Sequence, residues 1–139
     1  MQGYFRKIMI IDDDDVDRYI LKKTVQQTAL ADEISEYSTG VEALQFITGS
    51  SGKINDLPDL IFLDINMPML NGFEFLEVLE GLHNQLKNRC RVVVISSIED
   101  EGDRARANQF ESVIDYLLKP LSENSLLRLK DGMQYTQAS

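Results

Sequence analysis

The chain has 139 residues and a mass of 15.8 kDa, the size of a single domain with a substantial buried core. Its 23 acidic and 14 basic residues give a formal net charge of -9, which disfavours binding to nucleic acid or to an anionic membrane surface. The single cysteine cannot form an internal disulfide and the amino terminus does not resemble a signal peptide, so we expect a cytoplasmic protein.

The first half of the chain alternates between short apolar segments and segments in which apolar residues recur at helical spacing. The run Ile8–Ile11 is continuously apolar and is followed by four aspartates, as expected for a strand covered on both faces. In chain order we then predict a helix from about Asp15 to Thr28, a weaker strand at Glu33–Tyr37, a second helix that begins at Thr39, and a surface loop with a mobile tip from Gly49 to Pro58.

The second half repeats this alternation. Leu60–Leu63 is another fully apolar segment, and Asn71 with Glu74 has the pattern of a helix cap. The remaining predicted elements are a third helix that starts after Asn71 and includes His83, a strand at Val92–Ile95, a charged helix over about Glu99–Phe110, a strand at Val113–Leu118, and a closing helix capped by Ser122 with Leu126, Leu129 and Met133 on its inner side.

Five alternations of strand and helix predict a parallel sheet with right-handed crossovers. We therefore expect an α/β domain of the flavodoxin-like, doubly wound kind, with five parallel strands in the order 2-1-3-4-5 and helices on both faces. Residues 1–139 would form this one domain, with a core over about 6–131 and a carboxy-terminal tail at 132–139.

Side chains capable of chemistry follow four of the five predicted strands. Asp12 and Asp13 follow the first strand, Asp64 the third, Ser96 the fourth and Lys119 the fifth. The carboxyl ends of parallel strands lie at one edge of the sheet, and in the order 2-1-3-4-5 the first and third strands are neighbours. The three carboxylates are therefore expected to share one cleft at that edge.

Three carboxylates in one cleft repel one another, and this repulsion raises a carboxyl pKa unless a cation is present. Oxygen ligands without a nearby histidine or cysteine suit a hard ion, Mg²⁺ or Mn²⁺. Lys119 and Ser96 could hold the oxygens of a phosphoryl group at the same edge. The residue types thus indicate a metal-assisted site for phosphoryl transfer.

Four motifs at these strand ends resemble those of a known family. They are Asp12-Asp13 after IMII, the segment DINMP at 64–68 followed by Gly72, Ser96 after VVVI, and the segment YLLKP at 116–120. In this order and at these positions they resemble the receiver domain of bacterial two-component response regulators. The resemblance covers nearly the whole chain and is to the stand-alone, chemotaxis-regulator-like members, because 132–139 is too short for an output domain.

The resemblance implies a role for each residue of the site. Asp64 is similar to the phosphorylated aspartate, and Asp12 and Asp13 are similar to the acidic pair that binds Mg²⁺ together with it. Asn66 occupies the position whose backbone carbonyl completes the metal coordination. Lys119 matches the lysine that contacts the phosphoryl group.

The resemblance also implies a switch and its partners. Ser96 is similar to the switch hydroxyl and Tyr116 to the switch aromatic, and the bond before Pro120 is expected to be cis. The phosphoryl donor would be a histidine kinase or a histidine phosphotransfer protein, and the phosphorylated form would bind an unknown protein target. Such a protein is a phosphoacceptor that assists its own phosphorylation and is not otherwise an enzyme; we expect no nucleic-acid or membrane partner.

Other functions agree less well with these residues. A small-molecule phosphohydrolase or phosphotransferase usually needs a second acid two residues after its nucleophile, and Asn66 occupies that position. A flavin-binding electron carrier needs a phosphate-binding loop after the first strand, where this chain has four aspartates. An adaptor of the same fold that works without phosphorylation stays open as the alternative.

Several residues near these motifs have simpler expectations. Asp14 and Asp15 favour a solvated helix start, and Cys90 favours an inert, half-buried thiol. Ser97 stands where the family commonly has alanine, which would alter access to Asp64. Ile98 offers no acid or amide to position an attacking water, so we expect slow self-hydrolysis of the phosphorylated form.

Overall fold

The structure is a computed structural model that describes residues 4–49, 54–82, 86 and 89–138, with side chains described throughout except at 54 and 133–138. His83, the tip of the predicted loop at 50–53, and the side chain of Met133 lie outside the described residues. Within the described ranges, no helix combines the length and the apolar character needed to cross a membrane.

Five parallel strands form one sheet in the order β2-β1-β3-β4-β5, as the sequence predicts. The strands are β1 (Phe5–Ile11), β2 (Ala31–Tyr37), β3 (Leu60–Asp64), β4 (Arg91–Ser96) and β5 (Val113–Leu118). The central strand β3 is buried at every position, which explains its continuously apolar sequence.

Helices cover both faces of the sheet. The helices whose bounds lie within the described residues are α1 (Asp15–Gln27), α2 (Gly40–Gly49), α3 (Gly72–Gly81), α4 (Glu101–Ala107) and α5 (Glu123–Ala138). Alternate side chains of β1 separate the two halves of the core. Met9 and Ile11 pack with residues of α2, α3 and α4, whereas Ile8 and Ile10 pack with residues of α1 and α5. The predicted doubly wound fold is therefore confirmed.

Side-chain caps set where the helices begin, and at α2 and α5 the capping groups are the hydroxyls of Thr39 and Ser122. The Asp14 carboxylate accepts hydrogen bonds from the backbone N–H groups of Val16 and Asp17, which confirms that this aspartate starts α1. Asn71 and Glu74 form a complete capping box at α3. Asp100 caps α4, and for this reason the helix begins after the predicted Glu99; it also ends at Ala107, before the predicted Phe110.

Three predictions need correction. The predicted tail at 132–139 is wrong, because α5 continues through Gly132 to Ala138; one glycine weakens a helix without ending it. The segment from Gly49 to Pro58 is not wholly a surface loop, since 54–56 forms a short 3-10 helix and Leu57 is fully buried. Cys90 is fully buried and not half-buried, and burial raises the pKa of its thiol to about 12.

Candidate functional site

Three carboxylates meet at the carboxyl ends of β1 and β3. Asp12 and Asp13 directly follow β1, Asp64 is the last residue of β3, and the two strands are hydrogen-bonded neighbours. One carboxylate oxygen from each of the three residues lies within 4.8 Å of the corresponding oxygens of the other two. Asp12 is 1% exposed and Asp64 is 4% exposed, whereas Asp13 is open to solvent. The three carboxylates thus lie close together, as the sequence predicts.

The two buried carboxylates are oriented by the same local hydrogen bond. Asp12 Oδ1 accepts from the backbone N–H of Asp14 at 2.9 Å, and Asp64 Oδ1 accepts from the backbone N–H of Asn66 at 3.0 Å. This turn, in which an aspartate bonds to the backbone two residues later, fixes one oxygen of each carboxylate. The other oxygen of each carboxylate, Oδ2, faces the ammonium group of Lys119.

Lys119 brings a positive charge to the cluster from the end of β5. Its ammonium nitrogen lies 2.7 Å from Asp12 Oδ2, 3.0 Å from Asp17 Oδ2 and 3.4 Å from Asp64 Oδ2. Burial alone lowers the pKa of Lys119, but the hydrogen bonds to Asp12 and Asp17 and the charge of Asp64 outweigh burial and raise this pKa above its ordinary value. The lysine is therefore a permanent cation in the site.

Asp64 is less well compensated than Asp12. Burial is the main cause that raises the pKa of Asp64 to about 6; the hydrogen bond from Asn66 and the charge of Lys119 oppose this rise, and the charge of Asp12 adds to it. A buried carboxylate whose pKa is raised is stabilised in its charged form by an additional cation nearby. The cluster consequently favours a cation beside Asp64.

The loop that follows Asp64 packs closely against the start of α3. The backbone N–H of Gly72 donates to the carbonyl of Ile65 at 3.2 Å. A Cβ atom on Gly72 would lie 2.5 Å from Ile65 Cα and 3.0 Å from the carbonyl oxygen of Asp64. Because glycine has no Cβ atom, the start of α3 can pack this closely against the loop after Asp64. Asn66 lies exposed in this loop, and the metal role of its carbonyl stays a prediction.

Ser96 and Tyr116 both reach the same backbone carbonyl. The Ser96 hydroxyl donates to the carbonyl of Ile98 at 3.0 Å, and the Tyr116 hydroxyl lies 3.5 Å from the same oxygen. Both residues are buried, Ser96 at the end of β4 and Tyr116 on β5. The bond between Lys119 and Pro120 is cis, as the resemblance implies.

Sequence reasoning missed Asp17 as a neighbour of Lys119. Asp17 lies in the first turn of α1, four residues before the buried Leu21, so the two share the inward-facing side of the helix. That spacing places Asp17 on the buried side of the helix but does not by itself place it beside Lys119. Arg18 was also missed: its guanidinium donates to the backbone carbonyl of Asp12 at 2.6 Å and pairs with Asp15, which ties α1 to the site.

Comparison with known proteins agrees with this geometry. The family model described as the response regulator receiver domain matches residues 8–130. The transcriptional regulatory protein BtsR of Escherichia coli K12 is 31% identical over 120 residues, which are 86% of this chain and 44% of that protein. The Regulator of RpoS from the same organism is 32% identical over 123 residues, 88% of this chain and 33% of that protein. The chain thus spans less than half the length of these relatives.

Solved structures show the same fold. A two-component response regulator from Cytophaga hutchinsonii superposes with a TM-score of 0.85 at 28% identity, covering 94% of this chain and 98% of its own. A second, from Legionella pneumophila, gives 0.77 at 25% identity, with coverages of 94% and 98%. Receiver domains are regulatory phosphoacceptors of two-component signalling that are typically phosphorylated on aspartate. This chain belongs to the response regulator receiver domain family.

Proposed function

We propose that this protein is a phosphorylation-dependent switch in which Asp64 accepts a phosphoryl group from a histidine kinase or a histidine phosphotransfer protein. The observation that carries the proposal is the meeting of the Asp12, Asp13 and Asp64 carboxylates with the ammonium of Lys119 at one edge of the sheet. This arrangement places a buried carboxylate beside a fixed positive charge and a group of possible metal ligands.

The donor set fits a hard divalent cation. All three ligand groups are carboxylates, their oxygens are close enough to share one ion, and Asp13 is open to solvent. We propose that Asp12, Asp13, Asp64 and the Asn66 carbonyl hold Mg²⁺, with Mn²⁺ as a substitute. When bound, the ion would neutralise negative charge on the phosphoryl oxygens and on the carboxylates around them.

The side chains of the chain itself have separate tasks in the transfer. A carboxylate oxygen of Asp64 forms the new O–P bond while the N–P bond of the donor phosphohistidine breaks, and the imidazole nitrogen leaves with the electron pair and takes a proton from solvent. Lys119 offsets the charge that arrives, because its ammonium already lies 3.4 Å from Asp64 Oδ2. The product is an acyl phosphate on Asp64.

The phosphorylated form differs from the resting form by added charge and by strong acceptor oxygens. We propose that the Ser96 hydroxyl leaves the carbonyl of Ile98 and donates to a phosphoryl oxygen instead. Because Tyr116 reaches the same carbonyl, this exchange changes the contacts of β5 and of the loop before α4. The altered surface would then bind a protein target in the cytoplasm; the net charge of -9 argues against nucleic acid or membrane as that target.

Intact-mass measurement after incubation with Mg²⁺ and acetyl phosphate tests the proposal. The wild type should gain one phosphoryl group, and peptide mapping should place it on Asp64. Asp64→Asn should gain none, whereas Asp131→Asn, which alters an exposed carboxylate on α5, should behave as the wild type. Phosphorylation that persists in Asp64→Asn would reject Asp64 as the acceptor.

Binding measurements with Mg²⁺ and with beryllofluoride separate the switch from the adaptor alternative. An adaptor that works without phosphorylation would bind neither Mg²⁺ nor beryllofluoride, a mimic of the phosphoryl group, although it would keep the fold. A phosphotransfer profile against candidate histidine kinases would then identify the donor. Transfer of more than one equivalent from a small phosphate ester would instead indicate an enzyme that turns over.

A further inference from the structure

Arg104 on α4 contacts both the ring and the backbone of Tyr116, the residue similar to the switch aromatic. Its guanidinium carbon lies 4.6 Å from the centroid of the Tyr116 ring, and its Nη1 donates to the Tyr116 backbone carbonyl at 3.1 Å. Neither contact follows from the family motifs, which contain no residue of α4. The arginine therefore contacts both the side chain and the backbone of one residue of β5.

The same guanidinium joins Tyr116 to the loop that leaves the site. Arg104 Nε donates to Glu99 Oε1 at 3.0 Å and Nη2 donates to Glu99 Oε2 at 2.9 Å, a two-point pair with the carboxylate. Glu99 directly follows Ile98, whose carbonyl accepts from Ser96. All three nitrogens of the guanidinium are thus used, one on β5 and two on this loop.

Tyr116 is only 2% exposed. Its hydroxyl lies at 3.5 Å from the Ile98 carbonyl, a distance too long for a strong hydrogen bond, so this contact alone explains its burial poorly. The planar cation over the ring supplies attraction on the ring face, because a guanidinium group stacks favourably on an aromatic ring.

We propose that Arg104 is a positioning residue that holds Tyr116 in its buried orientation before phosphorylation and links it to the loop that follows Ser96. The inference rests on the switch function proposed above and concerns its regulation. In this chain the aromatic side chain does not need to move inward when Asp64 is phosphorylated. The Ser96 hydroxyl is the group that moves, and Arg104 keeps the Tyr116 ring already in place.

A preformed orientation has a measurable consequence. A ligand that requires buried Tyr116 binds with an apparent affinity reduced by the fraction of molecules that have it buried. Removing the contacts of Arg104 should lower that fraction and weaken beryllofluoride binding by about 2- to 10-fold. The binding residues Asp12, Asp13, Asp64 and Lys119 would all stay unchanged.

Arg106 offers a matched control on the same helix. Its guanidinium carbon lies 4.1 Å from the centroid of the Phe73 ring, and it pairs with Glu77 at 3.8 Å. Arg106→Met thus removes a ring contact and a carboxylate contact like two of those that Arg104 makes, but neither involves Tyr116. Arg104→Met tests the proposal, and Arg104→Lys keeps the charge while it loses the planar fork.

Fluorine NMR of protein labelled with fluorotyrosine reads out the orientation directly, with the Tyr116 resonance assigned from Tyr116→Phe. In the wild type without ligand, this resonance should already have the shift of a buried ring and should change little on addition of Mg²⁺ and beryllofluoride. In Arg104→Met it should move toward the free amino acid, and ligand should return it to the buried position. Arg104→Lys should lie between the two, and Arg106→Met should match the wild type.

An unchanged Tyr116 resonance in ligand-free Arg104→Met overturns the proposal, and so does an equal change in Arg106→Met. The ligand-free spectra decide this without any phosphoryl chemistry. Failure of the wild type to bind beryllofluoride would instead count against the proposed function, so the two failures are distinguishable. Arg104 is partly exposed and the Lys variant keeps its charge, so we expect both variants to fold. The amide spectrum would show any loss of the fold separately.

Discussion

The ammonium of Lys119 lies closer to Asp12 than to Asp64, at 2.7 Å from Asp12 Oδ2 and 3.4 Å from Asp64 Oδ2. Asp12 is the more deeply buried of the two, so its charge has the greater need of a close partner. Asp64 is left with a weaker share of the positive charge and with a raised pKa. Of these two buried carboxylates, the one proposed to react therefore has the more distant cation.

Lys119→Met should destabilise the protein strongly, because it leaves Asp12 and Asp64 buried without a cation. Breaking a buried ion pair by removing one partner costs about 3–5 kcal/mol. Lys22→Met is a suitable control, since Lys22 pairs with Glu36 at 3.1 Å on the surface and should cost less than about 1 kcal/mol. Urea unfolding at neutral pH without Mg²⁺ measures both; equal losses would show that Lys119 does not compensate buried charge.

The raised pKa of Asp64 predicts how stability depends on pH. In the folded chain this pKa is about 6, against an ordinary value of 3.8, so the folded state holds the proton more tightly than the unfolded state. Stability contributed by this proton is present below about pH 4 and is lost as the pH rises through 6. Asp64→Asn has no carboxyl group at this position and does not lose this stability. Without Mg²⁺, its stability relative to the wild type should therefore increase by roughly 2–3 kcal/mol as the pH rises from about 4 to about 6.

Unfolding titrations of the two proteins in chelator, from acid to neutral pH, measure this difference. Asp131→Asn should follow the wild type at every pH, because that carboxylate is exposed. A difference between Asp64→Asn and the wild type that does not change with pH would contradict the raised pKa.

The fold and the acidic cluster follow from the sequence because each depends on short-range patterns and one topological rule. Continuous apolar runs that end on Asp12 and Asp64 identify strands covered on both faces, and the order 2-1-3-4-5 makes those strands neighbours. No knowledge of side-chain orientation is needed to place these residues at one edge.

The contacts of Asp17 and Arg104 could not be derived in the same way. Each depends on how a helix is rotated and on where its first turn lies relative to a strand end, which periodicity alone does not fix. The end of α5 also differs from the prediction: Gly132 is a common stop signal, but one glycine costs a helix only about 1 kcal/mol, and α5 continues to Ala138.

The metal site predicts a stabilisation that depends on Asp13. Mg²⁺ at a hundredfold excess over its dissociation constant should stabilise the wild type by about 2.7 kcal/mol, because it binds only the folded chain. Asp13→Asn should abolish most of this gain with little effect on stability in chelator, since Asp13 is exposed. Thermal unfolding with and without Mg²⁺ measures the gain.

Asp15→Asn is the control for this prediction. Asp15 is an exposed member of the same run of aspartates, but it pairs with Arg18 and is not part of the metal-ligand group. It should keep the full stabilisation by Mg²⁺. Equal losses in Asp13→Asn and Asp15→Asn would indicate a diffuse attraction of cations by the acidic run and not a defined site.

Gly72→Ala should disturb the loop that orients Asp64, because the added Cβ would lie 2.5 Å from Ile65 Cα, and a backbone atom cannot move aside cheaply. We expect a loss of stability of about 1–3 kcal/mol, together with slower phosphorylation by acetyl phosphate. Gly81→Ala is the matched control: Gly81 lies at the other end of α3, where the added Cβ meets no described atom within 4 Å outside its own helix backbone and chain neighbours, and it should stabilise the protein by about 0.4–1 kcal/mol. If both variants are stabilised equally and are phosphorylated at the wild-type rate, the close packing of this glycine does not position Asp64.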